Sequence, residues 1–188
     1  MNAPVRPKDL ESRKPHLFTA DEVLQLIADG LVDKRAVLLD GEIFDVPADG
    51  RRHASAAMRI AAKAIRALDP EGFFVGVQTT LQLSKHNAPS PDIFILSGDL
   101  PDGDVPPERI LLVIEVADTS LRDDLTDSAS RYARHGVAEY WVVDVANALL
   151  HIHRDPVDGA YPPPKVLEAG ETVTARAVPG FEVRVGEG

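Results

Sequence analysis

The run Ile110-Leu111-Leu112-Val113-Ile114-Glu115-Val116 constrains the fold more than any other stretch of this chain. Side chains alternate along a strand, so Leu111, Val113 and Glu115 share one face and Ile110, Leu112, Ile114 and Val116 the other. Both faces are apolar up to Glu115, which describes a central strand covered on its two sides. A glutamate closing such a strand costs several kcal/mol unless it is paired, protonated or bound to a cation. Asp92 poses the same problem at the head of a second apolar run, Asp92-Ile93-Phe94-Ile95-Leu96, directly after Ser90-Pro91.

One shared divalent metal is the most economical answer to both carboxylates. If the two strands are neighbours, Asp92 and Glu115 converge on one Mg2+ ion, with the backbone carbonyl of Val116 as a third ligand and waters filling the remainder. Mn2+ is the natural substitute. Such an ion positions and acidifies a water and stabilises a phosphorane-like transition state, the chemistry of phosphodiester hydrolysis. Spacing alone leaves a structural reading open beside this one: an Asp after Pro also serves as a turn residue, and Glu115 can meet Arg109 or Arg122.

Composition narrows the setting. At 188 residues and 44% hydrophobic content the chain is expected to form one soluble domain over residues 17–188, preceded by a loose polar arm over residues 1–16. It has no cysteine, hence neither disulfides nor a thiolate metal site, and its start lacks a secretory apolar stretch, so a cytoplasmic, non-membrane location is expected. A net charge of −10 argues against broad adhesion to nucleic acid, yet suits a metal-dependent nuclease, whose site is acidic and whose counter-charge includes the metal.

Along the chain, Thr19-Ala20-Asp21-Glu22 has the spacing of a capping box and opens a short helix ending near Gly30. Asp40-Gly41 between two apolar runs predicts a hairpin with a type I′ turn. Residues 54–68 read as a helix with Met58, Ala61, Ile65 and Leu68 on one face and a basic stripe of Arg59, Lys63 and Arg66 on another, more simply solvated than phosphate-binding. Strands are expected over 73–83, 92–96, 110–116, 140–145 and 148–153, with a short helix over 126–135 and one or two edge strands in the tail. This order describes an α/β or α+β domain, an antiparallel meander with helices packed on its sheet.

Four segments carry a family resemblance: Leu39-Asp40-Gly41-Glu42-Ile43, Ser90-Pro91-Asp92, Ile114-Glu115-Val116-Ala117-Asp118-Thr119-Ser120, and Tyr132-Ala133-Arg134-His135-Gly136-Val137-Ala138-Glu139-Tyr140-Trp141-Val142-Val143-Asp144. Together they resemble the Uma-type family of restriction-endonuclease-like proteins in the PD-(D/E)xK nuclease superfamily. The resemblance implies a restriction-endonuclease-like core, a central mixed sheet flanked by helices with an N-terminal helix and hairpin, and assigns Asp92 and Glu115 as metal-binding carboxylates. It also implies cleft or catalytic roles for Gln78 and His53, which fall where the family has Gln and His. Tyr132, Tyr140 and Trp141 are read as packing residues.

Two departures stand against the matches. The family reads Glu-Leu-Ile-Asp-Gly at the first hairpin where this chain has Val37 in the Glu position, and it has a Lys where this chain has Ser128. Lys85 and Arg122 are the nearest candidates to replace that cation, and Asp124 is a candidate outer carboxylate or a helix cap. His151 and His153 are expected to form a polar sheet face rather than a metal pair. Two functions follow: a Mg2+-dependent endonuclease acting on DNA, as a homodimer paired through the apolar terminal hairpin, or the same fold kept without catalysis as a nucleic-acid-binding or protein-interaction module.

Overall fold

In the computed structural model, which describes residues 14–48 and 50–186, the element order begins with α1 (Ala20–Ala28) and a hairpin of β1 (Val37–Leu39) and β2 (Glu42–Phe44). The capping box forms as the spacing predicts: Thr19 accepts from the Glu22 N–H, and Glu22 accepts from the Thr19 N–H. Asp40 and Gly41 take φ values of 51° and 82°, the left-handed pair that a type I′ turn requires. Of the N-terminal arm expected over residues 1–16, all but residues 14–16 lies outside the described residues.

Helix α2 (Arg51–Ala67) precedes six strands that form the central sheet: β3 (Phe73–Val77), β4 (Ile93–Ser97), β5 (Ile110–Ala117), β6 (Glu139–Asp144), β7 (Leu149–Arg154) and β8 (Lys165–Leu167). They lie side by side in that order, all antiparallel except β5 and β6, which run parallel. The parallel step needs a crossover. It is supplied by α3 (Leu121–Asp123), a π-helical turn Asp124–Ser128 and α4 (Ala129–Arg134). The helix expected over 126–135 therefore starts earlier and is irregular in its middle.

The apolar runs place β4 and β5 in the interior, as their two-sided hydrophobicity requires. Ile93, Ile95, Leu112, Ile114 and Val116 face α2, while Phe94, Leu96 and Val113 face the α4 side. Trp141 stacks on Phe181 at 6.0 Å within the α2-side core. Two expectations are corrected. Of the expected face Ala61 and Leu68 are buried, but Met58 and Ile65 are 67% and 58% exposed, and α2 also buries Ile60 together with Ala56, Ala57 and Ala64, whose short side chains let the helix approach the sheet closely. Strand β3 stops at Val77, because Gln78 turns away with φ 45°.

The tail adds β8 at the sheet edge and a separate hairpin of β9 (Thr172–Thr174) and β10 (Glu182–Arg184). Val173, Val183 and Val185 of that hairpin are buried in the α2-side core. The apolar side of this tail hairpin is thus already covered.

Candidate active site

Asp92 stands one residue before Ile93, whose partner across the β4–β5 ladder is Ile114, one residue before Glu115. Register thus sets the two carboxylates opposite each other, and alternation puts both on the face of Phe94 and Val113. Each carboxylate takes the other strand's backbone: the Asp92 N–H donates to Glu115 Oε2 at 3.0 Å, and the Val116 N–H donates to Asp92 Oδ2 at 2.8 Å. Asp92 is buried, and Glu115 is partly so. No Lys or Arg pairs with Glu115 among the described residues; Arg109 turns to the carbonyls of Ser97 and Asp99, and Arg122 is exposed.

His53 and Gln78 come to the same carboxylate from different elements. His53, in the first turn of α2, places Nε2 2.9 Å from Asp92 Oδ2. It is not the helix cap, a position held by Gly50. An ionised carboxylate only accepts, so this contact puts a proton on His53 Nε2. Gln78 directs Nε2 toward Asp92 Oδ1 at 3.5 Å, and its N–H donates to the Asp92 carbonyl at 3.1 Å. Its left-handed backbone is a sparsely populated conformation for a non-glycine residue, found where surrounding structure fixes a functional side chain.

Two further residues enter from the crossover. The Tyr132 hydroxyl donates to Glu115 Oε1 at 2.9 Å, so this ring packs, as its composition suggested, and also orients a site carboxylate. The Asp124 carboxylate accepts from Ser120 Oγ at 2.5 Å, and its charge is felt by Glu115. Burial, then the charges of Asp92 and Asp124, push the Glu115 carboxyl well above its ordinary range. Burial likewise raises Asp124, opposed by the Ser120 hydrogen bond and the nearby His53. Asp124 lies on the π-helical turn, a distortion that recurs at functional sites.

The two departures keep their meaning in three dimensions. Val37 is buried on β1 and brings no charge, and Ser128 ends the π-helical turn with a neutral hydroxyl. Lys85 lies in the turn whose carbonyl receives the Ala20 N–H, at the start of α1. His151 and His153 do not make a polar outer face: His153 is 5% exposed and stacked on Tyr140, because β8 and the segment carrying Tyr161 cover that strand. Among the described residues no three His, Asp or Glu side chains stand ready to hold an ion by themselves. The donors that fit one are the paired carboxylates: burial and the charges of Asp92 and Asp124 oppose ionisation of Glu115, and a cation beside it would favour it.

The sequence model of the Uma2 family, described as "Putative restriction endonuclease", matches residues 20–186. The chain belongs to the Uma2 family. No curated protein matches it. A crystal structure described as that of "a putative nuclease belonging to DUF820 from Anabaena variabilis ATCC 29413" is similar at a TM-score of 0.66 and 16% identity, over 87% of this chain and 90% of that one. At that identity the likeness is one of fold, and it agrees with the mixed sheet described above. Uma2 membership supports a nuclease-like function, and restriction-endonuclease-like families generally use divalent metals. No helix among the described residues is long and apolar enough to cross a membrane.

Proposed function

We propose that this Uma2 protein is a divalent-metal-dependent endonuclease that hydrolyses phosphodiester bonds of DNA. The observation that carries the reading is the convergence of Asp92, Glu115 and Asp124 on one sheet end, with the Glu115 carboxyl pushed up by burial and by its two acidic neighbours. Asp92, Glu115 and the Val116 carbonyl would hold Mg2+, or Mn2+ in its place, which would supply an acidified water and offset charge on the reacting phosphate. Around it the chain's own groups hold the ligands still. His53 Nε2–H fixes Asp92 Oδ2, the Tyr132 hydroxyl fixes Glu115 Oε1, and Gln78 lines the cleft beside Asp92 Oδ1.

Cutting both strands of a duplex is easier with two such sites, which favours a homodimer as the active species. A second reading has one observation in its favour: Val37 and Ser128 leave the site without the family's Glu and Lys, which suits a binding module that has lost catalysis. Calorimetry with Mg2+ and Mn2+ on the wild type and Asp92→Ala, run beside cleavage of plasmid and single-stranded DNA, separates the two. Ion binding that disappears in the variant, together with cleavage, is the expected result. No divalent heat and no cleavage overturns the enzyme; ion-independent DNA binding without cleavage favours the module.

A further inference from the structure

The chain's negative excess hides one strongly basic element. Helix α2 carries Arg51, Arg52, Arg59, Lys63 and Arg66 and no acidic residue, in a protein with net charge −10. Arg52, Arg59, Lys63 and Arg66 recur at helical spacing and share one side of α2, next to the line of Ala56 and Ile60. That side does not simply face open solvent. Together with the Val143–Leu150 turn region and β10 it walls a cleft of about 590 Å3, with Val143, Leu149 and Val183 along its apolar floor. The volume lies within the range of ligand sites.

The cleft reaches the end of the sheet that holds the carboxylates, although it lies on the α2 side and their side chains lie on the other. Strands β5 and β6 are parallel, Ala117 is opposite Asp144, and the Val145 N–H donates to the Ala117 carbonyl at 3.0 Å. At the head of α2, His53 touches Asp92, and Arg52 lies 3.8 Å from Asp118, three residues beyond Glu115. A chain leaving the carboxylate pocket therefore meets the start of α2 and then its basic side. Asp144 also lines the cleft, but its carboxylate is engaged by the N–H groups of Ala146 and Asn147 and by the Asn147 side chain.

We propose that this cleft carries the phosphate backbone of the substrate strand beside the scissile bond, with Arg59, Lys63 and Arg66 as its contacts. The proposal rests on the nuclease reading for the identity of that strand. From Arg59 to Arg66 the helix advances about 10 Å, a span that serves a few successive phosphates. None of the cleft's lining residues is aromatic, so no platform stacks the bases, and the contacts are tolerant of sequence. An apolar floor under a basic rim suits the sugar faces and phosphates of a strand better than an acidic peptide, whose carboxylates stand off a polar backbone.

The test is binding of a fluorescent oligonucleotide, single-stranded and duplex, to the full chain across a series of KCl concentrations, with Ca2+ present to hold back cleavage. Arg59→Gln, Lys63→Gln and Arg66→Gln are combined and compared with Lys34→Gln, Arg35→Gln and Lys165→Gln, which remove the same charge elsewhere. All six side chains are exposed, and thermal melts check that both variants fold. The cleft variant is expected to lose about 2 to 3 from the slope of log K against log salt, and the control close to none. Equal losses in both variants, or an unchanged slope in the cleft variant of an enzyme that cleaves DNA, overturn the proposal and leave the nuclease reading standing. A cleft-dependent slope in a protein that never cleaves supports it while the nuclease reading fails. Binding of a polyglutamate peptide in place of the oligonucleotide overturns it.

Discussion

Asp92 and Glu115 hold each other's strands: the Asp92 N–H donates to Glu115, and the N–H of Val116, next to Glu115, donates to Asp92. Those bonds favour the ionised forms, yet at Glu115 burial and the Asp92 charge outweigh them. A glutamate whose folded pKa is raised contributes no penalty below its ordinary range, and destabilises increasingly as pH rises from there toward the folded value. Glu115→Gln keeps an oxygen to accept from Asp92 and removes the charge. Without metal, the variant is expected to be more stable than the wild type by about 1 kcal/mol at neutral pH. It is also expected to lose the rise in Tm that Mg2+ is expected to give the wild type. Thermal melts with and without Mg2+ decide this; a less stable variant with an intact Mg2+ shift refutes the assignment.

Tyr132 separates support of a ligand from packing. Its ring is buried against Tyr140 at 4.9 Å, and its hydroxyl reaches Glu115. Tyr132→Phe keeps the ring and deletes the bond, so stability is expected to fall by only about 1 kcal/mol. Metal affinity is expected to fall about 10-fold or more, as when other groups that orient ligands are removed. Mn2+ titration calorimetry beside urea unfolding measures both, and a variant with unchanged Mn2+ affinity shows that the hydroxyl serves the fold alone.

The residues legible in sequence were those whose chemistry conflicts with their surroundings. Asp92 and Glu115 stand out because a carboxylate on a two-sided apolar strand needs a reason, and register then brings them together. His53 and Gln78 were marked by resemblance, and the structure brings both to Asp92. Tyr132 was not marked for chemistry, since a buried ring looks the same in sequence whatever its hydroxyl meets. In the sequence Asp124 can serve as outer carboxylate or as cap, because its direction depends on a π-helical turn that no periodicity announces. The buried face of α2 was misphased for a physical reason: large apolar residues dominate a hydrophobic pattern, whereas close helix–sheet contact here uses alanines.

His153 makes the fold sensitive to acid away from the carboxylates. Its ring lies between Tyr140 and Tyr161, both of its nitrogens lack hydrogen-bond partners, and burial lowers its pKa to about 4. The unfolded chain takes up this proton near the ordinary value of about 6.5, the folded chain only near 4. The associated stability is fully present above the unfolded value and is lost as pH falls between the two. From pH 7 to pH 5 the loss amounts to about 2 kcal/mol. His153→Phe keeps a ring in the stack and is expected to flatten most of this dependence, His151 contributing a smaller part. Urea unfolding at the two pH values tests it; equal losses in wild type and variant refute it.

Ser128 is the position from which a missing cation can be returned. It lies four residues after Asp124 and four before Tyr132, on the turn and helix whose side chains at those two positions reach the carboxylate pocket. It is only half-buried, so a longer side chain has room to leave the backbone without opening the core. Ser128→Lys therefore brings an ammonium toward Glu115 and Asp124, whose carboxyl pKa values burial and acidic neighbours push up. It is expected to lower the pKa of Glu115 and Asp124 and to raise apo stability. It is also expected to raise DNA cleavage about 10-fold or more, as a positioned cation does for a developing charge. Ser128→Met, similar in length and neutral, reproduces any packing change without the charge. Val37→Glu alone places a carboxylate on a buried strand and is expected to destabilise, so its benefit appears only beside Ser128→Lys. Plasmid cleavage by the single variants, the pair and the Met control measures each contribution, and equal rates for Ser128→Lys and Ser128→Met show that this helix face does not address the reacting phosphate.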